Sequence, residues 1–292
     1  MKEKIVDFFK GICIGIANVI PGFSGGTMAV ILNIYEKVIY AFSNILRHPI
    51  QVLKKLWTLL VGVIIGIIIS IFVIAKLLVM FPLPTILFFI GLVIGSIPGV
   101  WNNAKKNAKI AFKDIVALVI AVVVMVILPL INNTNSFSGD ISFFVLITVF
   151  LMGIISAAAM VIPGVSGSLV LMAFGYYIYL VTNIKDLLAG ILSFDLSNLG
   201  NTFLIVVIFL VGCVLGVIYF AKLINILLEK HYKTVYYAIL GLLIASPFVI
   251  VWMNYDILTI SIKLLDVIIA LFFLIAGVLS VIFSSRVNKK DE

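Results

Sequence analysis

The segment Ile20-Pro21-Gly22-Phe23-Ser24-Gly25-Gly26 recurs as Ile162-Pro163-Gly164-Val165-Ser166-Gly167-Ser168, 142 residues later. Proline lacks an amide hydrogen and glycine tolerates backbone that other residues avoid, so a helix entering Ile-Pro-Gly stops there and a new one starts after Ser-Gly. The chain around both breaks is 64% hydrophobic and 11% charged, with a mean hydropathy of +1.34. In hydrocarbon, a broken helix is tolerated only where it is buried in protein or lines a polar cavity. Paired breaks at matching places in two halves are how repeat-built transporters form a binding site near the bilayer midplane.

Apolar runs recur at 56–80, 85–100, 115–131, 142–162, 203–228, 234–252 and 264–284. Several are long enough, at about 1.5 Å per residue, to cross about 30 Å of hydrocarbon. None alternates as a barrel strand would, so the expected fold is an all-α integral membrane protein. The net charge of +8 resides in short loops between spans, which is a membrane topology signal and not a nucleic-acid surface. Cys13 and Cys213 sit apart in apolar segments without metal-ligand spacing, so they read as packing residues. The apolar stretch after Met1-Lys2-Glu3-Lys4 runs straight into the first Pro-Gly break and has no convincing cleavage site, so it reads as mature protein and not as a signal peptide.

The repeat extends beyond the hexapeptide. Gly11 matches Gly153, Gly62-x3-Gly66 matches Gly212-x3-Gly216, Ala75-Lys76-Leu77 matches Ala221-Lys222-Leu223, and Gly91-Leu92 with Ser96 matches Gly241-Leu242 with Ser246. Small residues at these spacings read as helix-packing positions. The chain therefore divides into repeats 1–135 and 136–292, joined by a polar linker around 132–140. Each repeat is expected to hold a re-entrant hairpin, 5–45 or 142–183, followed by about three transmembrane helices. An odd number of crossings inverts the second copy. Under that arrangement one face receives Lys2, Lys4, Lys10, Arg47, Lys54, Lys55, Lys105, Lys106, Lys109, Lys113, Lys230, Lys233, Arg286, Lys289 and Lys290. The loops of the other face hold Lys185 against Asp140, Asp186, Asp195 and Asp256. Such a bias sets orientation and places both termini in the cytoplasm.

Two hairpins entering from opposite faces bring their tips together. The helices that restart at Ser24-Gly25-Gly26-Thr27 and Ser166-Gly167-Ser168 present unpaired N–H groups, a positive dipole end and hydroxyl donors. That combination suits an anion, phosphate above all, although a serine in this place also serves as a plain helix cap. Lys76 and Lys222, related by the repeat, are candidates to meet the anion at entry and exit, with snorkelling to the interface as the alternative. Glu36 is a candidate carrier for coupling to a proton or sodium gradient, with an interfacial glutamate as the alternative.

Ile-Pro-Gly-Phe-Ser-Gly-Gly-Thr at 20–27 and Asn33-Ile34-Tyr35-Glu36 recur as Ile-Pro-Gly-Val-Ser-Gly-Ser at 162–168 and Gly175-Tyr176-Tyr177. Together they resemble the bacterial polyprenyl-phosphate transporters over essentially the whole chain. The resemblance implies a multi-pass protein of the bacterial cytoplasmic membrane that returns undecaprenyl phosphate from the outer to the inner leaflet for cell-envelope precursor recycling. No cofactor, no metal and no nucleic-acid partner is expected, on the cysteine spacing and the placement of charge in loops. The second copy departs from the first at Ser168 for Gly26, Leu169 for Thr27 and Ile178 for Glu36, which assigns more of the chemistry to the first hairpin. Two other readings share the tips: an undecaprenyl-pyrophosphate phosphatase-like enzyme and an ion-coupled transporter of a small soluble anion. The enzyme would need an arginine beside the serine and paired glutamates, whereas Gly25 and Gly167 follow the serines and no Glu-x3-Glu occurs.

Overall fold

A computed structural model describes residues 2–19, 24–105, 110–130, 137, 141–193, 199–255 and 264–288. All regular structure among them is helical: α1 (Lys2–Val19), α2 (Gly25–Ile31), α3 (Tyr35–Ser43), α4 (Pro49–Ile69), α5 (Ala75–Met80), α6 (Pro82–Lys105), α7 (Phe112–Ile127), α8 (Phe143–Val161), α9 (Gly167–Ala173), α10 (Tyr177–Ser193), α11 (Leu199–Met253) and α12 (Leu264–Asn288). A π-helical turn, Ser70–Ile74, joins α4 to α5. Six helical stretches are long and apolar enough to cross a membrane: 49–80, 82–105, 112–130, 143–161, 200–253 and 264–283. The fifth, at about 1.5 Å per residue, is far longer than one crossing needs. It bends at His231, whose φ of −137° and ψ of 40° are not helical. The two apolar runs at 203–228 and 234–252 are thus two helical arms that meet at a kink.

Helix direction can be read from glycine contacts. A Cβ on Gly11 would lie 2.2 Å from the Leu59 carbonyl, and one on Gly15 would lie 2.2 Å from the Val63 carbonyl. The register advances in the same sense on both helices, so α1 runs parallel to α4, and Ser70 Oγ donates to the Ile16 carbonyl where α1 nears its end. Residues 24–48 therefore lead back to the end at which α1 began. The second half repeats this arrangement: Gly212 abuts Phe150 and Gly153, and Gly216 abuts Ile154, so α8 is parallel to the first arm of α11. Between α9 and α10 the axis turns by 116°.

The remaining helices pack across the halves. Gly91 and Gly95 of α6 meet Leu274, Gly277 and Val278 of α12, while Gly241 in the second arm of α11 meets Leu118 and Ala121 of α7. The repeat-related pairs Gly62-x3-Gly66 and Gly212-x3-Gly216 are thus sites where backbones touch, which only residues without side chains permit. The largest buried cluster draws on both halves, from Ile14, Ala17 and Met28 through Phe89 and Val93 to Tyr237, Leu240 and Leu243. The outer surface is apolar: Phe72, Val79, Phe112, Phe143, Leu264 and Phe283 are all exposed, which suits lipid and not water.

Each hairpin splits its return arm, a feature the hydrophobic pattern does not announce. α2 ends where Ile34 N–H donates to the Ala29 carbonyl and Asn33 N–H to Val30; α9 ends where Tyr176 N–H donates to Leu171 and Gly175 N–H to Met172. These are paired Schellman motifs. Their pivots, Asn33 (φ 54°) and Gly175 (φ 76°), occupy the left-handed region that glycine and asparagine tolerate best.

The α1–α4 contact predicts a contrast. Gly62→Ala forces a Cβ to within 2.2 Å of the Phe8 carbonyl, which no rotamer change relieves, so thermal unfolding in detergent should show a loss of about 1–3 kcal/mol or failure to fold. Gly99→Ala, which meets nothing within 4 Å and lies mid-helix, should be neutral or stabilising by up to about 1 kcal/mol.

Candidate functional site

The two breaks meet in space. Ser24 is the N-cap of α2, with extended backbone and its Oγ accepting from Thr27 N–H at 3.2 Å. Its hydroxyl also pairs with Thr27 Oγ1 at 2.9 Å. Gly164 N–H, from the other half of the chain, donates to Thr27 Oγ1 at 2.6 Å and to Ser24 Oγ at 3.3 Å. Both hydroxyl-bearing residues are buried, Ser24 at 1% and Thr27 at 0% exposure. Residues 20–23, which include Pro21 and Gly22 of the first break, lie outside the described residues.

The glycines follow from this closeness. A side chain on Gly26 would approach the carbonyls of Met160 and Ile162, so the second tip's backbone occupies the space. Gly164 has φ +90° and lies against Ser246 and Leu242 of α11. Gly25 N–H donates to Asn18 Oδ1 at 2.9 Å, and Tyr35 hydroxyl donates to the Val161 carbonyl at 3.1 Å. That last bond satisfies a carbonyl that the proline break would otherwise leave without a helical partner.

The second tip is built differently. Ser166 is the N-cap residue of α9, yet its side chain makes no cap hydrogen bond and pairs with Ser168 Oγ at 2.7 Å. In each tip two hydroxyls share one hydrogen bond, which consumes one of their two protons. One O–H donor per tip is left over. A side-chain cap thus engages the first tip and not the second.

Glu36 is exposed and not a buried carboxylate. It begins α3, and its Oε1 accepts from the hydroxyls of Tyr232 (3.0 Å) and Tyr236, two residues that follow the His231 bend in the opposite half. It lines a cavity of about 430 Å³ with Lys37, Tyr40 and Lys55 on one side and Asn225, Leu228, Glu229 and Tyr232 on the other. Lys37 is held by Asp7 at 2.8 Å and Glu3 at 3.4 Å. A second tie between the halves joins Asp114 to Lys233 at 3.4 Å and Thr234 at 2.7 Å. Lys76 and Lys222 are exposed among apolar side chains and, among the described residues, make no hydrogen bond to either tip. Sequence reasoning missed Asn18, Tyr35, Tyr232, Tyr236 and the place of Ser246 beside Gly164. Of these Tyr35 and Ser246 carried a signal, as the repeat partners of Tyr177 and Ser96.

A family model described as undecaprenyl phosphate translocase-like matches residues 14–265. A polyprenyl-phosphate transporter of Vibrio cholerae is 28% identical over 258 residues, covering 82% of this chain and 75% of that protein. A polyprenyl-phosphate transporter of Staphylococcus aureus is 26% identical over 251 residues, covering 85% of this chain and 86% of that protein. No solved structure matches.

The joint between the tips predicts an asymmetry in stability. Thr27→Val keeps the shape but removes the nearer acceptor of the buried Gly164 N–H, so thermal unfolding should show a loss of about 1–3 kcal/mol. Ser166→Ala, which removes no cap bond, should change stability far less.

Proposed function

We propose that this chain, which belongs to the undecaprenyl phosphate translocase-like family, carries undecaprenyl phosphate from the outer to the inner leaflet of the bacterial cytoplasmic membrane, its phosphate held between the two hairpin tips. The observation that carries this reading is the bond from Gly164 N–H to Thr27 and Ser24. An anionic headgroup crossing hydrocarbon needs donors to replace its lost water, since an unpartnered charge there is prohibitively costly. The tips hold two hydroxyl pairs, each with one spare proton. Entry of the headgroup turns the Gly164 N–H and the spare hydroxyl protons toward phosphate oxygens, while the polyprenyl tail stays against the apolar outer surface.

In this proposal the repeats are 1–135 and 136–292, inverted, with hairpins re-entering from opposite faces and both termini cytoplasmic. The parallel pairing of α1 with α4 and of α8 with α11 supports it, because a hairpin that returns to its starting end leaves the next helix parallel to its first arm. Gly25, Gly26, Gly167 and Ser168 shape the binding site with Ser24, Thr27 and Ser166. Lys76 and Lys222 attract the headgroup at the two rims. Glu36, between Tyr232 and Tyr236 at the bend of α11, is the carrier that couples movement to a proton or sodium gradient.

Purified protein in liposomes should move undecaprenyl phosphate between leaflets and release no inorganic phosphate from undecaprenyl pyrophosphate. Metal-dependent phosphate release without leaflet exchange would instead identify a phosphatase, and exchange of free phosphate without the lipid a soluble-anion carrier. Ser166→Ala should weaken lipid-phosphate binding by about 1–3 kcal/mol. Glu36→Gln should slow transport and flatten its pH dependence while leaving binding near wild type; an unchanged pH profile would remove Glu36 from the mechanism.

A further inference from the structure

The repeat places Met160 of the second half where the first has Asn18, and the structure keeps that correspondence: the Asn18 amide lies against Gly25 just as the Met160 side chain lies against Gly167. One tip is thus overlaid by a carboxamide and the other by a thioether. The orientation of the amide is fixed by chemistry. Gly25 N–H is a donor and requires an oxygen, so Oδ1 faces it at 2.9 Å and Nδ2 carries its two protons elsewhere. Among the described residues Nδ2 has no hydrogen-bond partner. Ser24, Gly25 and Thr27 are buried, whereas Asn18 and Gly26 keep partial access.

We propose that Asn18 is a specificity-determining residue for the anionic headgroup, its Nδ2 donating to a phosphate oxygen at the first tip, and that the headgroup therefore lies closer to the first tip than to the second. This rests on the reading that the tips hold a lipid phosphate. A neutral amide on the α1 arm adds two donors without adding a counter-charge, so the phosphate is held through directional bonds and can still leave. Met160 offers the second tip no comparable donor. The two tips therefore differ in kind: a donor-rich first tip and a second tip whose own donors are the Ser166 and Ser168 hydroxyls.

Asn18→Asp separates this role from a structural one. The carboxylate still accepts from Gly25 N–H, so the α1–α2 junction is preserved, but the Nδ2 donor becomes a negatively charged oxygen facing the phosphate. Asn18→Met removes both and copies the second tip. Binding of undecaprenyl phosphate to purified protein in nanodiscs, measured beside thermal unfolding, is the readout. Asn18→Asp should weaken binding by at least about tenfold, the scale of one charge-assisted hydrogen bond lost, while the protein keeps a cooperative thermal unfolding transition. Binding unchanged in Asn18→Asp, with the wild type binding the lipid, would overturn the role of Asn18 while leaving the tip proposal intact. Wild-type protein that binds no lipid phosphate would overturn the tip proposal itself, and this inference with it.

Discussion

The structure turns on one constraint: a helix broken at Pro-Gly inside an apolar protein leaves backbone groups that water cannot reach and that must be satisfied from elsewhere. The second break meets part of its demand from the first half. Gly164 N–H finds Thr27 and Ser24, and the Val161 carbonyl finds the Tyr35 hydroxyl. The second half could not close its tip this way alone. The shared joint also explains why glycine stands at 26 and 164, where the partner backbone or Ser246 leaves no room for a side chain.

Much of this architecture was legible because it is written twice. The hexapeptide, the paired Gly-x3-Gly motifs and the apolar runs each gain weight from recurring at a near-constant offset, and both glycine pairs prove to be places where backbones touch. Legibility fails where the signal is single or tertiary. Asn18 is one amide in an apolar arm with no spacing to mark it. Glu36 stood out as a charge, but its partners Tyr232 and Tyr236 lie some two hundred positions away and only folding brings them near. The charged segment around His231 reads as a connection between spans; Leu-Glu-Lys-His-Tyr-Lys contains no glycine or proline, and the two helical arms meet there at a kink with His231 outside helical φ/ψ. The split return arms were half legible: Gly175 announces a left-handed pivot, whereas Asn33 does so only by comparison with it.

The repeat is a scaffold on which the halves have diverged. Thr27 and Glu36 have no counterparts in Leu169 and Ile178, Asn18 has none in Met160, and Ser24 caps its helix where Ser166 does not. The polar ties of Glu36 and Lys37 gather where α3 approaches the bend of α11. A strictly symmetric carrier would present the same chemistry to both leaflets. Here the divergence gives the two tips different chemistry: a side-chain cap and an amide at the first, a serine pair and a thioether at the second.

The central claim, that hairpins from opposite faces bring their tips together, is tested most directly by topology. Single cysteines at Asn102 and Asn198, in protein lacking Cys13 and Cys213, would be exposed in intact cells to a membrane-impermeant thiol reagent. The account predicts labelling at Asn198 alone, with Asn102 reacting only after the membrane is opened. Labelling of both positions in intact cells, or of Asn102 alone, would contradict it.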